Sequence, residues 1–198
     1  MANVQCPGFI PLRSTVAGAT IANKRHRVLT NNTTAIAKGD AVKIVATGDV
    51  VVSSSATAAI GSVAQGASYI LDGIRVERPH LPAATLYTST GVDPSNASYV
   101  YIVDDNYNTI YEASVDEAIA LTDLGLNYQL VLGTLTTNGY SGHELDATNR
   151  AVTATGLPVR VHSFISRPGN DPDTADAHVE CRINLGLIEP ALSQEEGE

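Results

Sequence analysis

Tyr99-Val100-Tyr101-Ile102-Val103-Asp104-Asp105 sets the fold class. Tyr99, Tyr101 and Val103 fall on one face of an extended chain and Val100 and Ile102 on the other, so both faces are apolar enough to bury. The same period of two returns at Val159-Arg160-Val161-His162-Ser163-Phe164, an alternation that no helix produces. Between and beyond these blocks, from Tyr99 to Leu187, turn chemistry alternates with apolar runs: Thr122-Asp123-Leu124-Gly125-Leu126-Asn127, Ser141-Gly142-His143-Glu144-Leu145-Asp146 and Cys181-Arg182-Ile183-Asn184-Leu185.

Working outward, Gln129–Leu132, Leu157–Ile165 and Val179–Leu185 read as strands. Toward the amino terminus, Arg27-Val28-Leu29-Thr30, Ala35–Ile44 and Val50-Val51-Val52 are joined by the turn dipeptides Gly39-Asp40 and Gly48-Asp49, a hairpin signature. Ala58–Val63 and Ser68–Val76 continue the pattern with bends at Gly61, Gly66 and Gly73, and Pro79 and Pro82 break the ladder before a surface crossing through Thr90. The exception is Ser114-Val115-Asp116-Glu117, a capping-box sequence before Ala118-Ile119-Ala120-Leu121, which predicts a short helix ended by Gly125. The expected architecture is all-β, a barrel or sandwich with short helical turns and an extended amino-terminal arm.

Three segments follow: an arm over residues 1–24, punctuated by Pro7, Gly8, Pro11 and Gly18; a β-rich body over 25–188, divisible at 25–78 and 79–188; and an acidic tail over 189–198. A chain of 198 residues with 43% hydrophobic and 17% charged residues can bury a core without staples. Its formal charge of −9 withholds the electrostatic drive for a phosphate backbone, so nucleic acid is not an expected partner. No apolar run approaches a membrane span and no export signal opens the chain, which leaves the three Asn-x-Ser/Thr matches at Asn31, Asn32 and Asn96 idle. Cys6 and Cys181, far apart, indicate neither a disulfide framework nor a metal pair.

Candidate chemistry is sparse. Gly139-Tyr140-Ser141-Gly142-His143 approaches a nucleophile elbow but has His where glycine is needed. His143-Glu144 opens like a zinc-protease helix, yet Ala147 stands at the second ligand position. His178-Val179-Glu180 resembles half a deaminase signature, and Cys181 alone cannot complete it. Asp171, Asp173 and Asp176 with His178 could present oxygen and nitrogen ligands to a cation, the basis of a metal-assisted hydrolase reading, against a solvated acidic turn. Asp104-Asp105 more simply ends a strand. Lys24-Arg25-His26-Arg27 is the only basic cluster, fit to meet an acidic surface.

The chain resembles the head decoration, or capsid cement, proteins of tailed bacteriophages. The resemblance is carried by Gly8-Phe9-Ile10-Pro11-Leu12-Arg13, Ala35-Ile36 with Gly39-Asp40-Ala41-Val42-Lys43, Ile60-Gly61 to Tyr69, Leu81-Pro82-Ala83 and Tyr101-Ile102-Val103-Asp104-Asp105. It continues through Asp123-Leu124-Gly125, Ser141-Gly142 with Glu144-Leu145-Asp146, and Arg167-Pro168-Gly169-Asn170 leading to Arg182-Ile183-Asn184. The order is collinear over roughly residues 8 to 187. Asn106-Tyr107-Asn108 departs from the proline turn more usual after the two acids. The resemblance implies an all-β virion protein, made in the host cytoplasm, that sits on the outer capsid surface, bridges major capsid subunits and carries no catalytic residue or cofactor. Phe9, Ile10, Arg13, Lys24, Arg25 and Arg27 are the expected capsid contacts, and a homo-oligomer, dimer or trimer, is expected because avidity grows when equivalent sites are engaged together. The alternative is a tail, fibre or adhesin module that binds host carbohydrate on its tyrosines.

Overall fold

The computed structural model describes residues 3–28, 32–45, 47–54, 56–57, 60–83, 87 and 97–184. The chain is all-β, with a closed five-strand barrel and additional sheets. Among the described residues, fourteen strands run β1 (Ile10–Ser14), β2 (Asn23–Arg27), β3 (Ile36–Ala37), β4 (Ala41–Ile44), β5 (Val50–Val52), β6 (Ser62–Leu71) and β7 (Ile74–Arg78) in the first part. They continue with β8 (His80–Leu81), β9 (Tyr99–Val103), β10 (Thr109–Val115), β11 (Asn127–Val131), β12 (Glu144–Ala151), β13 (Val159–Phe164) and β14 (Ala177–Ile183).

The barrel follows β10-β12-β11-β13-β14, and pairing of β14 back onto β10 closes it. Closure removes the sheet edges along this circuit. Alternation then sends Tyr111, Ala113, Val115, Val159, Val161, Val179, Cys181 and Ile183 into a shared core, which leaves Glu112, Ser114, His178 and Glu180 on the outer face. The Tyr111 hydroxyl donates to Asn106 Oδ1, so the largest buried ring keeps its polar atom paired. The second sheet runs β2-β9-β6-β4-β5, with β7 also on β6, over a separate core of Val28, Val42, Val50, Ala67, Tyr69, Leu81, Val100 and Ile102. Ala41, Ile60, Val63 and Val103 of this half reach the barrel's core, joining the two.

Three expectations change. The helix predicted from Ser114 is absent: Ser114 and Val115 end β10, and only a 3-10 turn at Leu121–Asp123 follows. Ser114 Oγ instead accepts the Cys6 N–H at 2.5 Å, and strand geometry buries Tyr111, Ala113 and Val115 together, which a helix starting at Ser114 would forgo. Secondly, the sheets divide between Val103 and Thr109 rather than at 78/79, because β9 pairs with β2 and β6.

Thirdly, the extended amino-terminal arm packs on the chain's own barrel rather than offering Phe9 to a partner. Ile10–Ser14 pairs antiparallel with β10, with a bulge between Pro11 and Arg13, and proline is tolerated because β1 lies at a sheet edge. Phe9 is 1% exposed within the barrel-side core and meets Tyr111 edge-on at 6.2 Å. Its entry depends on two glycines. The Phe9 N–H donates to the Gly39 carbonyl at 2.9 Å, where Gly8 (φ +70°) and Gly39 (φ +94°) cross so closely that a Cβ on Gly39 would lie 2.3 Å from the Pro7 oxygen. The acidic tail over 189–198 lies outside the described residues.

Candidate functional site

The outer face of the β10–β14 pair is roofed by residues 3–9, which run across it as a strap. Asn3 pins the strap's start, its Nδ2 donating to the Asp171 and Ala175 carbonyls at 2.8 and 3.0 Å while its Oδ1 accepts the Asp171 N–H at 2.9 Å. Cys6 is held through its own N–H on Ser114. Under the strap, Glu112 of β10 and His178 of β14 stand side by side, since register places Glu112 opposite Glu180 and Ser114 opposite His178. All three of Cys6, Glu112 and His178 are buried, and one ligand atom from each falls within 4.8 Å of the other two. A cleft of about 530 Å3 opens beside them, bordered by Val4, Pro7, Ile10 and the loop bearing Arg167.

His178 Nε2 lies 2.7 Å from the Val4 carbonyl, which places a hydrogen on Nε2. Nδ1 lies 2.6 Å from Glu112 Oε1 and 2.6 Å from Arg167 Nη2, and Arg167 Nη2 is 2.8 Å from the same Glu112 oxygen. The Arg167 guanidinium thus touches the imidazole and the carboxylate together, a positive charge laid against the buried Glu112 side chain.

This is not an activated thiol. The Cys6 thiol donates to the Gly8 carbonyl at 3.2 Å rather than to His178. Burial, then the Glu112 charge, pushes the Cys6 thiol up to about 12, opposite to the lowering a nucleophilic cysteine needs. What the three side chains offer instead is sulfur, nitrogen and oxygen ligation for a cation. Cys181 faces the other way, fully buried inside the barrel with its thiol also raised by burial, and both cysteines are free.

The structure disperses most of the residues singled out in the sequence. Phe9 belongs to the protein's own core and presents no ring to a partner, while Ile10 borders the cleft. Arg13 forks onto Glu180 at 2.5 and 2.7 Å. Ser141 accepts the His143 N–H at 3.0 Å in a loop, not at a strand-to-helix turn. His143 is buried with Nδ1 accepting the Ala41 N–H and Nε2 3.7 Å from Asp40; burial lowers its pKa against the opposing pull of Asp40. Asp171 caps its own turn through the Asp173 N–H, and His178 turns away from Asp171, Asp173 and Asp176 toward Glu112. Asp104 sits 3.8 Å from Lys24, whereas Asp105 accepts from the Asn108 side chain and N–H. The Cys6–Glu112–His178 grouping was missed because its members lie 66 and 172 residues from His178; the legible signal was the period of two in Tyr111-Glu112-Ala113-Ser114, which puts a carboxylate and a hydroxyl on one face.

A second surface lies on the other sheet. Strand β2 is exposed over Asn23, Lys24, Arg25 and Arg27. Arg25 stacks over the Tyr99 ring with its guanidinium carbon 4.3 Å from the centroid, and Arg75 of β7 lies 5.8 Å from the same ring. Tyr101 donates to Glu77 at 3.0 Å. Lys24 and Arg27 are balanced by Asp104 and Asp49. Among the described residues no helix is long and apolar enough to cross a membrane. No protein-family model matches the chain, and no similar curated protein or solved structure was found.

Proposed function

We propose that this chain is an accessory virion protein that binds the outside of an assembled phage head and stabilises it by bridging major capsid subunits, with the β2 face as its contact. The observation that carries the reading is the gathering of cations on one sheet of an acidic protein. Lys24, Arg25, Arg27, Arg75 and Arg78, five of the chain's twelve lysines and arginines, stand on β2 and β7, against a net charge of −9. Arginine stacked on tyrosine is the combination enriched at the energetic centres of protein interfaces. The stacking also holds Arg25 and Arg75 in place before binding, which reduces the side-chain entropy lost on contact. Phe9, being core, drops out of the proposed contact set, and Arg13 stands on the other sheet, while Lys24, Arg25 and Arg27 remain in the set on β2.

Purified protein added to heads lacking it should co-sediment with them and raise their resistance to heat, because a ligand of the assembled lattice stabilises it by mass action. Arg25→Glu, on the exposed edge strand β2, should weaken co-sedimentation at least tenfold while the free protein keeps its circular dichroism spectrum. Wild-type protein that neither sediments with the heads nor shifts their melting refutes the reading. The half-buried Tyr99–Tyr101 pair favours one alternative, a carbohydrate-binding module, and specific retention on a glycan array would decide for it.

A further inference from the structure

We propose that Cys6, Glu112 and His178 form a binding site for one divalent transition-metal ion of the zinc type, and that Arg167 is a displaceable cation that holds the ligands' charge when the metal is away. The inference is independent of the capsid reading. It rests on the donor set, its preorganisation and the place Arg167 occupies.

One thiol sulfur, one imidazole nitrogen and one carboxylate oxygen are the ligand types zinc takes, whereas calcium and magnesium require oxygen alone. Each ligand is oriented from behind. The Val4 carbonyl holds the hydrogen on His178 Nε2 and so turns Nδ1 toward the cluster, the outer-shell arrangement that fixes metal-binding histidines. Ser114 fixes Cys6 through its N–H, and the antiparallel pairing of β10 with β14 fixes Glu112 relative to His178.

Little movement is needed. Tetrahedral geometry at metal–ligand distances of ~2.0–2.3 Å sets ligand atoms about 3.3–3.7 Å apart. Nδ1 and Oε1, now 2.6 Å apart, would separate by less than about 1 Å, and the sulfur, within 4.8 Å of both, would close by about the same amount. The fourth position faces the cleft, where water can enter. Arg167 is the only one of the four side chains with substantial exposure, at 44%, and it leaves the ligands by rotating into solvent. A metal seated here ties the amino-terminal strap to the barrel, so the strap's attachment becomes metal-dependent.

The test uses the full chain, stripped with chelator and titrated with Zn2+ alone and with Co2+ alone. One equivalent of each should bind, Co2+ should develop a thiolate charge-transfer band and tetrahedral ligand-field bands, and Zn2+ should raise Tm. Cys6→Ser, which keeps the shape of the side chain, should abolish the charge-transfer band although Cys181 remains, and should weaken Zn2+ binding by about 100-fold or more. Arg167→Ala strips the buried Glu112 of its counter-charge and should lower the Tm of the metal-free protein, while tightening Zn2+ binding. Wild-type protein without a cobalt–thiolate band, an unchanged band in Cys6→Ser, or Ca2+ binding as tight as Zn2+ would each overturn the site. Weaker Zn2+ binding in Arg167→Ala would overturn the displacement.

Discussion

Replacing Phe9 by alanine distinguishes a core strap from a detachable arm. The ring is 1% exposed, packs edge-on against Tyr111 at 6.2 Å and has Ala41, Ile60 and Val63 in the same cluster. Truncating a ring so enclosed removes its transfer free energy and leaves a cavity, a cost of about 3–5 kcal/mol. For a chain of this size each kcal/mol lowers Tm by ~2–4 °C, so a fall of roughly 6–20 °C is expected. Thermal and urea unfolding followed by far-ultraviolet circular dichroism and tyrosine fluorescence would measure it; no tryptophan complicates the signal. Leu12→Ala, three residues on and 39% exposed in β1, is the matched control and should cost less than about 1 kcal/mol. If Phe9→Ala melts within about 2 °C of the wild type, the packing argument fails and the segment is a detachable arm after all.

Gly39→Ala should destabilise by about 3 kcal/mol or more, since a Cβ would meet the Pro7 oxygen at 2.3 Å in backbone held at φ +94°; equilibrium urea unfolding reads it, and a neutral result refutes the close crossing. Gly73→Ala, at φ +80° with open space around it, should cost only about 1–2 kcal/mol by the same measurement. Glu144 is pushed up to about 7, first by burial and then by Asp176 and Asp116. A carboxyl whose folded pKa is raised costs no stability below the unfolded value near 4.5 and becomes a growing penalty as pH rises to about 7. Glu144→Gln should therefore melt above the wild type at pH 8 and level with it at pH 4, and the reverse order would refute the assignment. His143, whose lowered pKa withdraws stability as pH falls below its unfolded value, acts in both proteins and cancels from that comparison.

The strands whose alternation is written locally were legible from the residues alone. Val159–Phe164 and Tyr99–Val103 show the period of two directly, and the Gly48-Asp49 turn between β4 and β5 announces itself because a glycine at φ +80° makes it. The acidic charge and the basic Lys24–Arg27 run are likewise properties of composition and order. Local signals misled where burial overrode them. Ser114-Val115-Asp116-Glu117 has helix-capping chemistry, but the barrel gains more from burying Tyr111, Ala113 and Val115 on one side of a strand. Glu144–Ala151 was hidden because Asp146 and Asn149 bond to each other in a bulged segment and imitate a turn. Only the closed barrel decides that Phe9 enters the core and that Cys6, Glu112, His178 and Arg167 meet. Their meeting depends on which strands pair and in what register, and pairing energy between segments 66 to 108 residues apart leaves no trace in either segment's own sequence.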